Sequence, residues 1–174
     1  MSVVAAFNEF GRYLIQQSRT NLTKRGRKDK GTLYDSLSFV AKKNKNSYEF
    51  SFFMEDYGDF VDKGVKGTKK SEKAPQSPYK FGTGTGRKGG LTEAIQGWVR
   101  RNRIQFRDKK SGRFSTYDST AYLITRSIWL TGLKSTAFYS KPFERAFERL
   151  PDDIVIAYGL EVDKLLQTAI NNAK

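Results

Sequence analysis

The apolar positions of this chain change period several times, and each change marks an element. Val3, Val4, Phe7, Phe10, Leu14 and Ile15 share one helical stripe, with Glu9, Arg12 and Gln16 elsewhere. They predict an amphipathic helix from about Val3 to Leu22, roughly 30 Å long at 1.5 Å per residue. Gly11 lies inside it at a cost of about 1 kcal/mol relative to alanine, so close packing is expected there. A short helical turn is read over Gly31–Leu37. Leu37, Phe39 and Ala41 then alternate as a strand, as do Tyr48, Phe50 and Phe52, three aromatics on one face opposite Ser47, Glu49 and Ser51. The intervening KKNKN makes these strands a β-hairpin. After Glu55, Tyr57, Phe60, Val61 and Val65 return to helical spacing as a core stripe, ended by Gly64 and Gly67.

The second half reads less regularly. Residues 66–90 hold lysines, glycines, Pro75 and Pro78, and predict a long loop ordered by neighbouring subunits. Leu91, Ile95, Trp98 and Val99 predict a helix, and 104–116 two short strands around Lys109–Gly112. Ala121, Ile124 and Ile128 carry a helix to Gly132. Ser140 is the expected cap of a helix bearing Phe143, Ala146 and Phe147, with Pro142 in its first turn. Past Pro151, Asp152 and Asp153 suit a helix N-terminus, and Val155, Tyr158, Val162, Leu165, Leu166, Ala169 and Ile170 predict the inward stripe of the last helix. The expectation is an α+β fold: a small antiparallel sheet packed by long N-terminal and C-terminal helices. It is a single domain over 1–174, with a core at 1–65 and 117–174 and a basic, loop-rich insertion at about 66–116.

Composition narrows the chemistry. The 174 residues include no cysteine and no histidine, which removes disulfides, thiolate nucleophiles, the commonest general base and the usual zinc ligands. No apolar run spans a membrane and no signal-peptide core opens the chain, so a soluble, unexported protein is expected. Charge is concentrated: residues 20–113 hold 23 Lys/Arg against 10 Asp/Glu, and the other 80 residues hold 9 against 8. The middle of the chain therefore faces something anionic, nucleic acid or an acidic protein surface.

Three constellations compete for that role. Gly84–Gly89 fits GxGxxG, with Asp108 about twenty residues on, but no buried strand precedes it and no βαβ unit follows, so a loop is the better reading. Asp56, Asp59 and Asp62 recur every third residue and could hold Mg²⁺ in a nuclease, yet they also suit the solvated face opposite Tyr57, Phe60 and Val61. The basic segments, interleaved with Tyr79, Phe81, Trp98, Phe106 and Phe114, suit phosphate neutralisation with some base stacking. The candidate DNA, channel or interface residues are Lys69, Lys70, Lys73, Arg87, Lys88, Arg100, Arg101, Arg103, Arg107, Lys109 and Lys110. No catalytic, metal or cofactor site is assigned.

LYDSL (33–37), YGDFVDKG (57–64) and SKPFERAFE (140–148) together resemble the tail-completion, or neck, proteins of tailed bacteriophages. Members carry a first helix, an L..SL before a hairpin, a YA.YVE.G helix and a..PF..PA.E segment. The positions that correspond to these motifs are Tyr57, Gly58, Phe60, Val61, Gly64, Pro142, Phe143 and Ala146. Gly58 and Asp62 replace the commoner alanine and glutamate, and the stretch from about Lys66 to Leu133 exceeds the compact family core. The resemblance implies a non-enzymatic virion subunit, assembled in the host cytoplasm into a homo-oligomeric ring at the head-to-tail junction. Its neighbours would be portal or connector and tail proteins, and its channel would pass DNA. A stand-alone, sequence-independent nucleic-acid-binding protein is the alternative.

Overall fold

The computed structural model describes residues 2–26, 29–45, 47–83 and 90–172, except the side chains of Glu161, Leu165, Leu166, Ala169, Ile170, Asn171 and Asn172. Among these lie seven helices and one two-stranded antiparallel sheet, an α+β fold. No helix among them is long and apolar enough to cross a membrane. The chain forms two compact units, residues 1–62 with 136–174, and residues 63–135.

In the first unit, α1 (Val3–Lys24) opens on Ser2, whose hydroxyl accepts the Ala5 N–H. Its stripe of Val3, Ala6, Phe10, Leu14 and Leu22 is buried. After α2 (Thr32–Ser36), β1 (Ser38–Lys43) pairs with β2 (Tyr48–Phe53) in the register Phe39↔Phe52 and Ala41↔Phe50. That register stacks the alternating apolar face against α1, as expected of Phe50 and Phe52. Phe50 lies 5.0 Å from Phe10, 5.9 Å from Phe7 and 5.7 Å from Phe39, ring to ring. Gly11 is the contact point: a Cβ there would sit about 2.5 Å from the Phe39 ring.

The unit closes with α6 (Ser140–Phe147) and α7 (Leu150–Asn172), both packed on α1. Phe143 meets Phe10 edge-on, Phe52 stacks on Tyr139 at 5.4 Å, and Phe138 is fully buried with Leu22, Leu33 and Leu37. The last helix turns a different line inward from the expected one: Leu150, Ile154 and Ala157 face the core, while Val155, Tyr158 and Val162 are exposed. Apolar residues occupy nearly every side of the helix between 154 and 162, so periodicity alone could not choose the buried face.

The second unit is built on α4 (Gly90–Arg101) and α5 (Tyr117–Thr131), which pack on each other around Val99, Thr120 and Ala121. Thus α5 belongs to this unit, whereas the sequence pattern alone places residues from 117 onward in the outer core. Residues 104–116 form one antiparallel bridge, Arg107↔Phe114, around a turn and not two strands, since the Arg107 and Phe114 pairing is not extended on either side.

Residues 65–83 are irregular but tied into their own unit. The open carbonyls at the α5 C-terminus organise them: Thr68 N–H donates to Trp129 O, and Lys69 and Lys70 N–H both donate to Leu130 O. Val65 pairs with Leu133, and Lys66 N–H donates to Tyr79 O. Gly67 and Gly132 permit this approach, for a Cβ on either would strike the backbone of the other segment. Residues 65–83 thus find these hydrogen-bond partners within their own unit. Residues 84–89, with the GxGxxG pattern, Arg87 and Lys88, lie outside the described residues.

Candidate functional site

Two surfaces follow from this arrangement, one in each unit. Residues 63–135 carry 17 Lys/Arg against 4 Asp/Glu, whereas the 101 residues of the first unit are balanced, with 15 against 14. The charge excess thus coincides with a compact unit.

Within the second unit two of the four acids hold basic segments in place. Asp118 pairs with Arg100 at 2.8 Å, both side chains 60% exposed, which is worth little in stability but orients the guanidinium. Asp108 Oδ1 accepts N–H groups of Ser111 (2.6 Å) and Lys110 (3.0 Å) and the Ser111 hydroxyl (2.9 Å). These bonds, led by the Ser111 backbone, hold the Asp108 carboxyl below the usual aspartate range. Arg107 Nε donates to Gly112 O at 2.8 Å, and its guanidinium lies 5.8 Å from the Phe114 ring centre. The resulting turn presents Lys109, Lys110 and Arg113 between Phe106 and Phe114, all exposed. Its shape is set by these side-chain bonds together with the backbone bonds of the Arg107↔Phe114 bridge.

The remaining candidates divide by what they touch. Lys73 Nζ donates to Thr131 Oγ1 (2.7 Å) and Gly132 O (3.3 Å), which places a cation at the C-terminal end of α5, where the helix dipole favours it. Lys69 and Lys70 bind α5 through their backbones and expose their side chains. Arg101 ends α4 and Arg103 follows it, both exposed. Lys63, 5.9 Å over the Tyr79 ring, and the exposed Lys80, Arg126 and Lys134 add to the same unit; none has a lysine or arginine next to it in the sequence to mark it.

The motif residues of the first unit reverse their expected roles. Tyr57 and Phe60, read as core, are 44% and 42% exposed, whereas Gly58 and Asp62 are buried. In α3 (Gly58–Lys63) the inward side is set by Leu33 and Met54, which leave no room for a Cβ at 58 without moving the Met54 sulfur. Burial, then the Glu55 charge, raise the Tyr57 phenol above its ordinary pKa. Asp62, read as part of a solvated acidic face, is 1% exposed and caps α6: Oδ1 accepts the N–H groups of Tyr139 (2.9 Å) and Ser140 (3.2 Å). The cap expected from the Ser140 hydroxyl comes from this carboxylate instead. Its neighbour Val61 accepts both the N–H and the hydroxyl of Thr136. The YGDFVDKG and SKPFERAFE segments are therefore joined by a buried carboxylate. Pro142 is buried beside this junction, and Phe143 and Ala146 pack into the core at Phe10 and Leu14. Gly64, in the second unit, takes φ +73° with its backbone close to Leu133.

With Asp62 turned inward, Asp56, Asp59 and Asp62 do not form a shared surface, and no group of three metal-ligating side chains occurs among the described residues. Comparison with family models, characterised proteins and solved structures finds no match.

Proposed function

We propose that this chain is a structural subunit of a homo-oligomeric neck or tail-completion ring of a tailed bacteriophage, at the head-to-tail junction around the DNA channel. The observation that carries the reading is the division of labour between the two units. One is nearly neutral, holds almost all the motif positions, and exposes Tyr57, Phe60, Phe147, Ile156 and Leu160. The other concentrates the positive charge on exposed side chains. A neutral body with apolar outer faces suits packing against copies of itself and against portal or connector and tail proteins. A cationic unit suits contact with phosphates that must slide, through charge and not through base edges.

Size-exclusion chromatography with mass detection, with and without duplex DNA, tests the assignment. A discrete oligomer that forms without DNA and retains DNA only at low salt is the expected result. A monomer at every concentration that binds DNA would favour the alternative, a stand-alone nucleic-acid-binding protein, for which the Phe106–Phe114 turn with its lysines is the supporting feature. Release of DNA fragments with Mg²⁺ would favour neither.

A further inference from the structure

We infer that a groove along α1 receives the α7 helix of a second copy of this chain. The inference rests on the ring reading and names the contact that would build the ring. The groove has a volume of about 660 Å³ and is open-sided. One wall is the outer face of α1, where Arg12, Gln16, Arg19 and Thr23 follow one another at spacings of four, three and four. Tyr34 and Phe39 form the other wall. Arg12, Arg19 and Lys24 bring three cations to this lining, and no carboxylate belongs to it. Arg19 is already oriented: its Nε donates to Tyr34 O at 3.0 Å and its guanidinium lies 5.0 Å from the Tyr34 ring centre. The site is a cationic trough whose apolar lining is Ile15, Tyr34 and Phe39.

One flank of α7 is the complement of that trough. Ile156 and Leu160, four residues apart, are 62% and 43% exposed, and Asp152, Asp153 and Asp163 border them, also exposed, with one cation, Lys164, next to Asp163. From Asp152 to Asp163 the helix rises about 17 Å, and from Arg12 to Lys24 about 18 Å. Cations stand at the two ends of the trough and acids at the two ends of the apolar pair, so the lengths and charges match. The other flank of α7, with Val155, Tyr158 and Val162, lacks these acids, so charge selects the Ile156–Leu160 side. The helix cannot satisfy the trough in its own chain while Ile156 and Leu160 remain exposed. Because trough and helix are different patches, the contact is head-to-tail, the kind that closes into a ring when the rotation permits.

The absence of native cysteine allows a direct test. Chains carrying Gln16→Cys are mixed with chains carrying Leu160→Cys and oxidised. A mixed disulfide dimer is expected, at least ten-fold more abundant than in either variant alone. Independently, Arg12→Glu with Lys24→Glu, or Asp152→Lys with Asp163→Lys, should weaken assembly at least ten-fold, and the four changes in one chain should restore it. Arg19 is left unchanged because it braces Tyr34. A ring that persists in both charge-reversed variants without a mixed disulfide overturns this contact and leaves the ring reading standing. An unmodified chain that never oligomerises overturns the ring reading and this contact with it.

Discussion

Replacing Asp62 separates the two readings of the acidic triplet. Its carboxylate is 1% exposed and accepts two N–H bonds, of 2.9 and 3.2 Å, at the start of α6. In Asp62→Ala both partly buried donors lose their acceptor. Loss of a cap costs about 0.5–2 kcal/mol, and a buried donor left without a partner costs about 1–3 kcal/mol. Relief of the buried charge offsets part of this, so a net loss of about 2–4 kcal/mol is expected. Asp62→Asn keeps an acceptor oxygen of the same reach and should lose only about 1 kcal/mol, asparagine and aspartate being comparable caps. Urea denaturation at one fixed protomer concentration, so that assembly does not shift the midpoint, measures both. An alanine variant within about 0.5 kcal/mol of the unmodified chain, or an asparagine variant as damaged as alanine, would refute the cap. The triple change of Asp56, Asp59 and Asp62 to asparagine should alter stability or assembly only; loss of a Mg²⁺-dependent nuclease activity would restore the metal reading.

Three further outcomes follow from the packing. Gly11→Ala should destabilise by about 1 kcal/mol, overpacking against the Phe39 ring outweighing the gain in helix propensity, while Gly58→Ala, which meets the flexible end of Met54, should stay within about 1 kcal/mol of neutral; thermal melts compare them. Lys73→Gln should lower the melting temperature, whereas Lys69→Gln with Lys70→Gln should leave it unchanged and reduce the salt slope of DNA binding by about 0.9 for each phosphate no longer neutralised, as read by fluorescence anisotropy. The Asp108 pKa is depressed in the folded chain, so its contribution to the 108–112 turn is complete above the ordinary aspartate range and fades as pH falls through the depressed value; the protection of the Ser111 amide, taken relative to its intrinsic exchange rate at each pH, should fall only in that acidic window, and protection that is unchanged by acid would count against the turn.

What could be read from the sequence depended on how each element is specified. The first helix and the hairpin carry clean periods, because one side of each faces a core and the other water, and both formed where expected. Gly11 also announced its role, since a glycine within a strong helical stripe has few reasons to be there except close packing. The YGDFVDKG helix misled because it is short: over six residues, Tyr57 and Phe60 outweigh Gly58 and Asp62 in any count of hydrophobicity, yet Leu33 and Met54 decide which side is inward. Asp62 was out of reach because its partners lie 77 and 78 residues away and are backbone N–H groups, which leave no mark in composition. The groove on α1 was partly visible, for Arg12, Gln16, Arg19 and Thr23 share a helical face; only the arrival of Tyr34 and Phe39 makes that face a trough. The cationic unit was legible as charge and in its two helices, whereas the course of residues 65–83 was not, since it is set by loop amides meeting the open end of α5.

The hydrogen bonds from Thr136 and Ala137 to Val61 and Asp62 have a bearing on how this chain can vary in length. They join the two points at which the chain leaves and re-enters the first unit, so the 73 residues of the second unit are, for the first, one closed loop. Loop-closure entropy grows only logarithmically: stretching that loop from about 4 residues to 73 costs about 2–3 kcal/mol, whatever the added residues do. Pairing of Val65 with Leu133 reduces even this, because the inserted unit brings its own ends together as it folds. A change in the length of the chain between 62 and 136 therefore costs the first unit little closure entropy. Selection can then change the positive charge carried by residues 63–135 separately from the packing of the first unit.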